Sequence, residues 1–193
     1  MRTRRFFNDR EVVLHYKSHI MSYIEYRTPG LYHACDSTLR PLDKVQSNLF
    51  AELGISDEQA LRSFNLAPLR SRRDMAMLGL IHRTVLGKGP AQFQTFFRLA
   101  PPVARRGTRF AHRRHSRQLV DPRGPRFSEQ LRRSALGLIA IYNLLPGEIV
   151  GAESVSDFQR SLQDMMKAFA CSNVEGWPDL FSPRVPLFSH LLK

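Results

Sequence analysis

The sequence is poor in the residues and segments that many protein classes require. Its 193 residues include only Cys35 and Cys171, too few for a disulfide framework, and no neighbouring cysteines suggest a zinc site. No apolar run reaches the roughly 18 residues of a membrane span. The charged residues 1–7 lead into Asn8 and Asp9 instead of an apolar signal core. We therefore expect an intracellular protein, nuclear or cytoplasmic, that is neither secreted nor membrane-bound.

Motifs for catalysis are missing as well. Gly87-Lys88-Gly89 lacks both the upstream glycine and the following Ser or Thr of a phosphate-binding loop. The nine aspartates are scattered without an adjacent pair, which a two-metal polymerase or nuclease site would favour. His15 and His19 have the spacing of metal ligands on a helix, but no third ligand accompanies them. We predict no catalytic centre, cofactor, metal or small-molecule substrate, and hence no enzyme.

Positive charge, in contrast, is abundant. The chain has a net charge of +12, a pI near 10.6, and 24 arginines against 5 lysines. Residues 98–133 contain 11 arginines and only two acids, Asp121 and Glu129, and so carry +9 of the +12. An anionic partner is expected, and nucleic acid, an acidic protein and an anionic membrane surface all have suitable charge. Arginine suits bidentate phosphate recognition, although a coding bias toward arginine would give the same composition.

Residues 66–90 predict the helix around which the fold is organised. Their apolar side chains surround the helix instead of following one stripe, which is typical of a central helix in a bundle. Ser71 with Asp74 resembles a capping box, while Gly87 and Pro90 indicate the end, giving a helix over about 71–86. The apolar set is Met75, Met77, Leu78, Leu80, Ile81, Val85 and Leu86.

Three arginines at the entrance of this helix, Arg70, Arg72 and Arg73, lie where the helix dipole disfavours cations. They would pair with acids or loop carbonyls of the fold, or contact a phosphate. We expect Asp74 to cap the helix and one arginine to pair internally.

The remaining pattern predicts an all-α fold, an irregular multi-helix bundle with a basic loop and at most a very short strand. Periodicity and caps place the other helices as follows. They run from Asn8, with Glu11, to Arg27; through a short turn at Pro29; from Thr38 to Gly54; from Ser56, with Gln59, to Asn65; from Ser128 to Pro146; and from Ser154, with Asp157, to about residue 172. The buried stripe of the Thr38 helix is Leu42, Val45, Leu49, Phe50 and Leu53.

Prolines and glycines make residues 98–127 an expected extended basic loop, with one possible strand at 118–120. Before it, Phe93, Phe96 and Phe97 are interpreted as core residues of a short helix. We predict a single helical domain over 1–172, divided into 8–54 and 56–172, and an irregular tail over 173–193. The tail would dock through Trp177, Phe181 and Phe188.

The order of these segments resembles the C-terminal region, beyond the polymerase palm, of non-LTR (LINE-type) retrotransposon reverse transcriptases. The resemblance covers roughly residues 12–162. It is carried by Tyr16-Lys17, Glu25-Tyr26, Leu42, Val45-Gln46, Leu66, Pro68, Leu69, Arg72, Arg73, Asp74, Gly87, Pro90, His115, Gln118, Leu119, the run Tyr142-Asn143-Leu144-Leu145-Pro146, Val155 and Phe158.

This resemblance implies thumb-like helices over 8–54 and a post-thumb helical core over 56–172, which support template and primer in the parent polymerase. The palm with its metal site, the endonuclease and the cysteine-histidine knuckle of such proteins are missing from this sequence. The implied function is therefore non-catalytic binding of RNA or an RNA/DNA duplex, with the polymerase domains as a further possible partner.

Phosphate contacts that set affinity without choosing a base sequence are expected mainly from the basic loop. The predicted contact residues are Arg105, Arg106, Arg109, Arg113, Arg114, His115, Arg117, Arg72 and Arg73. Two alternatives remain open at this point. The chain could be a helical protein-interaction module with an acidic partner, or a decayed retroelement remnant that has no function.

Overall fold

Helices form nearly all the regular structure in the computed structural model, which describes residues 6–101, 114–121 and 129–193. The predicted all-α class is confirmed. Across these ranges the only pairing of extended chain is an isolated antiparallel bridge between Leu99 and Leu119. The α-helices are α1 (Asp9–His15), α2 (Ser22–Tyr26), α3 (Thr28–Leu31), α4 (Asp36–Leu53), α5 (Asp57–Phe64), α6 (Leu69–Val85), α7 (Ala91–Gln94), α8 (Glu129–Arg132), α9 (Leu138–Leu144), α10 (Gly147–Val150) and α11 (Val155–Cys171). A π-helical segment (Tyr16–Met21) joins α1 to α2, and short 3₁₀ turns occupy Trp177–Asp179 and Leu187–Ser189.

Local capping residues set several of these helix ends as predicted. The Asn8 side chain accepts a hydrogen bond from the Glu11 N–H at 3.0 Å, and the Glu11 carboxylate accepts one from the Asn8 N–H at 2.8 Å. Ser56 and Gln59 form the same reciprocal box before α5. Gly54 ends α4 with φ of +67°, a conformation that a residue without a Cβ adopts at little cost.

The start of α6 differs from the prediction. The helix begins at Leu69, and Ser71 and Asp74 do not form a capping pair. Instead, the Leu69 N–H donates to Gln46 Oε1 on α4 at 2.7 Å, so a distant side chain satisfies the free donor at the helix start. The Gln46 amide also donates to the Ala67 carbonyl at 3.0 Å. A tertiary contact has therefore replaced the expected local cap.

The hydrophobic residues form two core clusters. The larger surrounds α6, as predicted for a central helix, and includes Leu78 and Ile81, both fully buried, with Tyr142 of α9 and Phe158 of α11. Helix α11 packs along α6 more extensively than α9 does. The smaller cluster joins the N-terminal helices to α4 and α5, with Tyr16 among its buried residues. The fold thus combines a core around α6 with a flanking N-terminal unit.

Two other helix predictions need correction. On α4, the predicted Leu49, Phe50 and Leu53 are buried, but Val45 is 40% exposed, and Leu39 and Gln46 are buried in addition. The helix expected from Ser128, itself outside the described ranges, is divided into α8 and α9. At Gly137 an added Cβ would lie 2.1 Å from the carbonyl oxygen of Arg132. The turn between α8 and α9 thus brings Gly137 against this carbonyl, where only a residue without a Cβ fits.

The C-terminal segment is tightly joined to the larger core. Phe181 is fully buried and Trp177 packs against the core, but Phe188 is 81% exposed and does not dock as predicted. Of the predicted core phenylalanines before the basic loop, Phe97 is buried and Phe96 is 56% exposed. In the part of the chain that the structure describes, no helix is both long and apolar enough to cross a membrane.

Candidate nucleic-acid interface

The two sides of the basic loop meet at a short pairing that we call the neck, formed by Leu99 and Leu119. The Ala100 N–H donates to the Gln118 carbonyl at 2.7 Å, and the Val120 N–H donates to the carbonyl of Arg98 at 2.8 Å. Leu119 is 2% exposed and belongs to the larger core. The predicted strand at 118–120 is thus reduced to one bridge, which joins the described residues on the two sides of the basic loop.

Asn143 on α9 holds the other edge of the neck. The main-chain groups of Leu119 do not bond to Leu99, because the bridge hydrogen bonds belong to the flanking residues. The Asn143 side chain accepts from the Leu119 N–H at 2.8 Å and donates to the Leu119 carbonyl at 2.9 Å. A carboxamide can supply both halves of this pairing because it carries a donor and an acceptor. The basic loop is therefore anchored to the buried helix α9.

We expect Asn143→Asp to lower the free energy of unfolding by about 1–3 kcal/mol, because a carboxylate oxygen would face the Leu119 carbonyl and leave it without a donor. Urea unfolding followed by circular dichroism measures the change. Asn48→Asp, at an exposed position on α4, is the matched control and should have little effect. Equal unfolding midpoints for the two variants would contradict the anchoring role.

The structure places Arg114 and Arg117 at the returning side of the basic loop, where both donate to main-chain carbonyls. Arg114 Nη1 donates to the Leu144 carbonyl at 3.0 Å and to the Leu192 carbonyl at 2.5 Å. Arg117 Nη1 donates to the Val150 carbonyl at 2.8 Å. These arginines attach the loop to the ends of α9 and α10 and to the C-terminal segment. Phosphate contact by either one stays a prediction.

His115, one of the predicted phosphate contacts, lies inside the fold. It is buried, and its Nε2 lies 3.0 Å from the Tyr142 carbonyl. Burial lowers the pKa of His115, which favours the neutral ring at neutral pH. His115 therefore packs the loop against α9, and its contact with phosphate stays a prediction.

The ring of Tyr142 also anchors a buried histidine that sequence patterns did not single out. His82 of α6 has its Nδ1 3.0 Å from the Tyr142 hydroxyl and its Nε2 3.0 Å from the carbonyl of Ala152. The ring stacks on Phe158 at a centroid distance of 4.1 Å. Burial lowers the pKa of His82 as well. With one nitrogen donating and the other accepting, a neutral ring satisfies both contacts and links α6, α9 and α11.

Arg72 and Arg73 at the start of α6 both pair with acids of the fold. Arg72 contacts Glu25, and Arg73 forms a bidentate pair with Asp43 at 2.7 and 2.9 Å. The sequence predicts that one of the three entrance arginines pairs internally, and the structure pairs all three, since Arg70 Nε also lies 3.4 Å from Asp179 Oδ1. Contact of Arg72 and Arg73 with phosphate remains a prediction.

Arg105, Arg106, Arg109 and Arg113 lie outside the described residues, so their predicted role rests on the sequence. Within the described ranges, no cluster of three or more His, Cys, Asp or Glu side chains could hold a metal ion. His15 and His19 stack on each other with ring centroids 5.9 Å apart.

Comparisons with protein-family models, curated proteins and solved structures gave no match for this chain. The described helices and the composition define an all-α protein with a strongly basic segment over residues 98–133.

Proposed function

We propose that this chain binds RNA or an RNA/DNA duplex through its basic loop, as a non-catalytic C-terminal part of a LINE-type reverse transcriptase. One observation carries the binding proposal: the most arginine-rich part of the sequence lies between Leu99 and Leu119, the two residues that pair at the neck. Six arginines and no acids lie between Leu99 and Leu119. Such a concentration of charge attracts the phosphate backbone and releases its counterions on binding.

Several arginines outside the basic loop have their charge paired within the fold. Arg72, Arg73 and Arg184 each form an ion pair with an acid of the fold. Outside residues 98–133, the chain carries a net charge of only +3. The positive field of the protein is therefore centred on the basic loop, and the field of the rest of the surface is weak.

An acidic protein partner is the second candidate, because it would meet the same charge. Nucleic acid is favoured by the arginine composition, since the planar guanidinium fits phosphate oxygens in a bidentate way.

Ancestry is a separate part of the proposal. Palm motifs encoded upstream of the Met1 codon are expected, and their absence there would contradict the link to reverse transcriptases.

Binding is tested by fluorescence anisotropy with a labelled RNA hairpin between about 50 and about 200 mM salt, where phosphate contacts weaken steeply. Changing Arg105, Arg106, Arg109 and Arg113 to serine should reduce affinity and flatten the plot of log affinity against log salt by about 0.9 per lost contact. These four are chosen because Arg114 and Arg117 also hold the fold.

The matched control removes four exposed arginines elsewhere, and so changes the net charge equally. Its residues are Arg62, Arg70, Arg83 and Arg160. Equal losses in the two variants would assign binding to net charge instead of the basic loop. Absence of hairpin binding by the wild-type chain at about 50 mM salt would contradict the proposed function outright.

A further inference from the structure

The N-terminal helices carry a row of exposed rings that we call the ring face: Phe7, His15, His19 and Tyr23, ending at Arg27. Phe7 meets His15 edge to face at 5.2 Å, and His15 stacks on His19 at 5.9 Å with an interplanar angle of 16°. The Arg27 guanidinium carbon lies 4.5 Å from the centre of the Tyr23 ring. These side chains form two groups of contacts, Phe7–His15–His19 and Tyr23–Arg27, which follow each other as an aromatic and cationic strip.

The four-residue spacing of His15, His19, Tyr23 and Arg27 places these side chains on one side of the helical stretch, which includes the π-helical segment. Two serines of this stretch bond to its carbonyls: Ser18 donates to the Leu14 carbonyl at 2.9 Å and Ser22 to the Ser18 carbonyl at 2.6 Å.

The ring face is not part of either core. Buried residues of the same helices, including Val13, Tyr16 and Ile24, point into the smaller core cluster. Tyr23, by contrast, is 59% exposed, and Tyr26 beside it is 86% exposed. Large exposed rings in one place mark an interaction surface more often than a chance arrangement.

The charges of the protein indicate which kind of partner fits the ring face. Two acids of the N-terminal helices already have partners within the protein: Glu11 bonds to Asn8 in the capping box, and Glu25 forms an ion pair with Arg72. Arg27 remains exposed on the strip. A second copy of this chain would bring a charge of +12 against +12, which opposes self-association. An anionic partner with flat rings satisfies both the charge and the stacking surface.

We infer that the ring face binds single-stranded nucleic acid, with bases stacking on His19 and Tyr23 and with Arg27 beside them. Bases stack on aromatic side chains with little sequence preference, and arginine adds a cation–π contribution. This inference rests on the proposed function and extends it. The basic loop contacts phosphates, whereas the ring face contacts the bases of an unpaired strand.

The test uses a single-stranded RNA oligonucleotide that contains 2-aminopurine, whose fluorescence is quenched when the base stacks. His19→Ser with Tyr23→Ser should abolish the quenching caused by the protein and weaken binding roughly tenfold per lost ring. An abasic strand of equal length should bind both proteins equally, because it retains only the phosphates. Phe188→Ser, which removes an exposed ring elsewhere, is the control. Both changed residues are exposed, so the unfolding curve should not move.

Unchanged quenching in the double variant, or an equal loss of affinity for the abasic strand, would overturn the ring face as a base-stacking site. Tyr23-dependent binding to phosphatidylserine vesicles without an effect on RNA would overturn it in favour of a membrane surface. If the wild-type chain binds the hairpin with a steep salt dependence but quenches no 2-aminopurine, only this inference fails. If it binds neither RNA, the proposed function fails and the inference with it.

Discussion

Replacing Arg73 by alanine is expected to lower the free energy of unfolding by about 3 kcal/mol, whereas the same change at Arg72 should cost no more than about 1 kcal/mol. The two arginines are adjacent, but their environments differ. The Arg73 side chain is 6% exposed and forms the bidentate pair with Asp43. Arg72 is 21% exposed and its partner Glu25 is 29% exposed, so water screens that pair more strongly.

The expected cost at Arg73 comes mainly from the acid that is left behind. Removing one partner of a buried pair strands the other charge in a poorly solvated place. Asp43 keeps 34% of its side-chain exposure, which places the cost at the lower end of the usual range for buried pairs. Arg73→Lys should recover only part of the stability, because a single ammonium nitrogen lacks the planar fork that matches the two carboxylate oxygens of Asp43.

Urea unfolding of the two alanine variants measures the difference, and RNA affinity is measured on the same proteins. Loss of affinity in Arg72→Ala with unchanged stability would support the predicted phosphate contact at that position. Equal destabilisation by the two substitutions would contradict the distinction in burial on which this expectation rests.

Helix ends set by neighbouring residues could be predicted from the sequence. In the capping boxes at Asn8 and Ser56, the two bonded residues lie three apart in sequence. The sequence pattern therefore shows both partners of each box. The same holds for the left-handed end at Gly54. Such interactions are local, and tertiary packing left them unchanged.

The start of α6 could not be predicted in this way, although it shows a similar pattern. Ser71 donates to the Pro178 carbonyl at 2.5 Å, and Asp74 accepts from Tyr32 at 2.6 Å. Those partners lie 107 and 42 residues away in sequence. Gln46 supplies the missing cap from another helix. When the free N–H groups at a helix start bond to residues that are distant in sequence, the pattern of neighbouring residues cannot predict those partners.

The candidate interface likewise has one part that could be predicted from the sequence and one that could not. Composition alone reveals where the arginines concentrate, because charge is a property of the sequence. Which of them hold the fold depends on carbonyls at the ends of α9 and α10, as for Arg114 and Arg117. The role of Asn143 likewise depends on the neck. Side chains of this kind bond to main-chain groups that lack a partner within their own helix. They can be identified only once the positions of the helix ends are known.

Asp74→Asn is expected to stabilise the protein above neutral pH and to have little effect near pH 4. Burial raises the pKa of Asp74 to about 7, partly opposed by the hydrogen bond from Tyr32 and by the nearby Arg184 and Arg73. In the unfolded chain an aspartate has a pKa of about 3.9. Between these values the folded state binds more protons, so this carboxyl lowers stability as pH rises from about 4 to about 7.

Asparagine keeps the acceptor for the Tyr32 hydroxyl and never carries the buried charge. The stability of the variant relative to wild type should therefore rise by up to about 1.4 kcal/mol per pH unit across this window, to a total of a few kcal/mol, and then level off. Urea unfolding at pH 4 to 8 measures the difference, which also cancels the titration of the buried histidines because both proteins contain them. Asp164→Asn, exposed on α11, controls for the loss of one carboxylate. A variant that is less stable than wild type by the same amount at every pH would show that Asp74 is charged throughout, as a partner of Arg73 and Arg184.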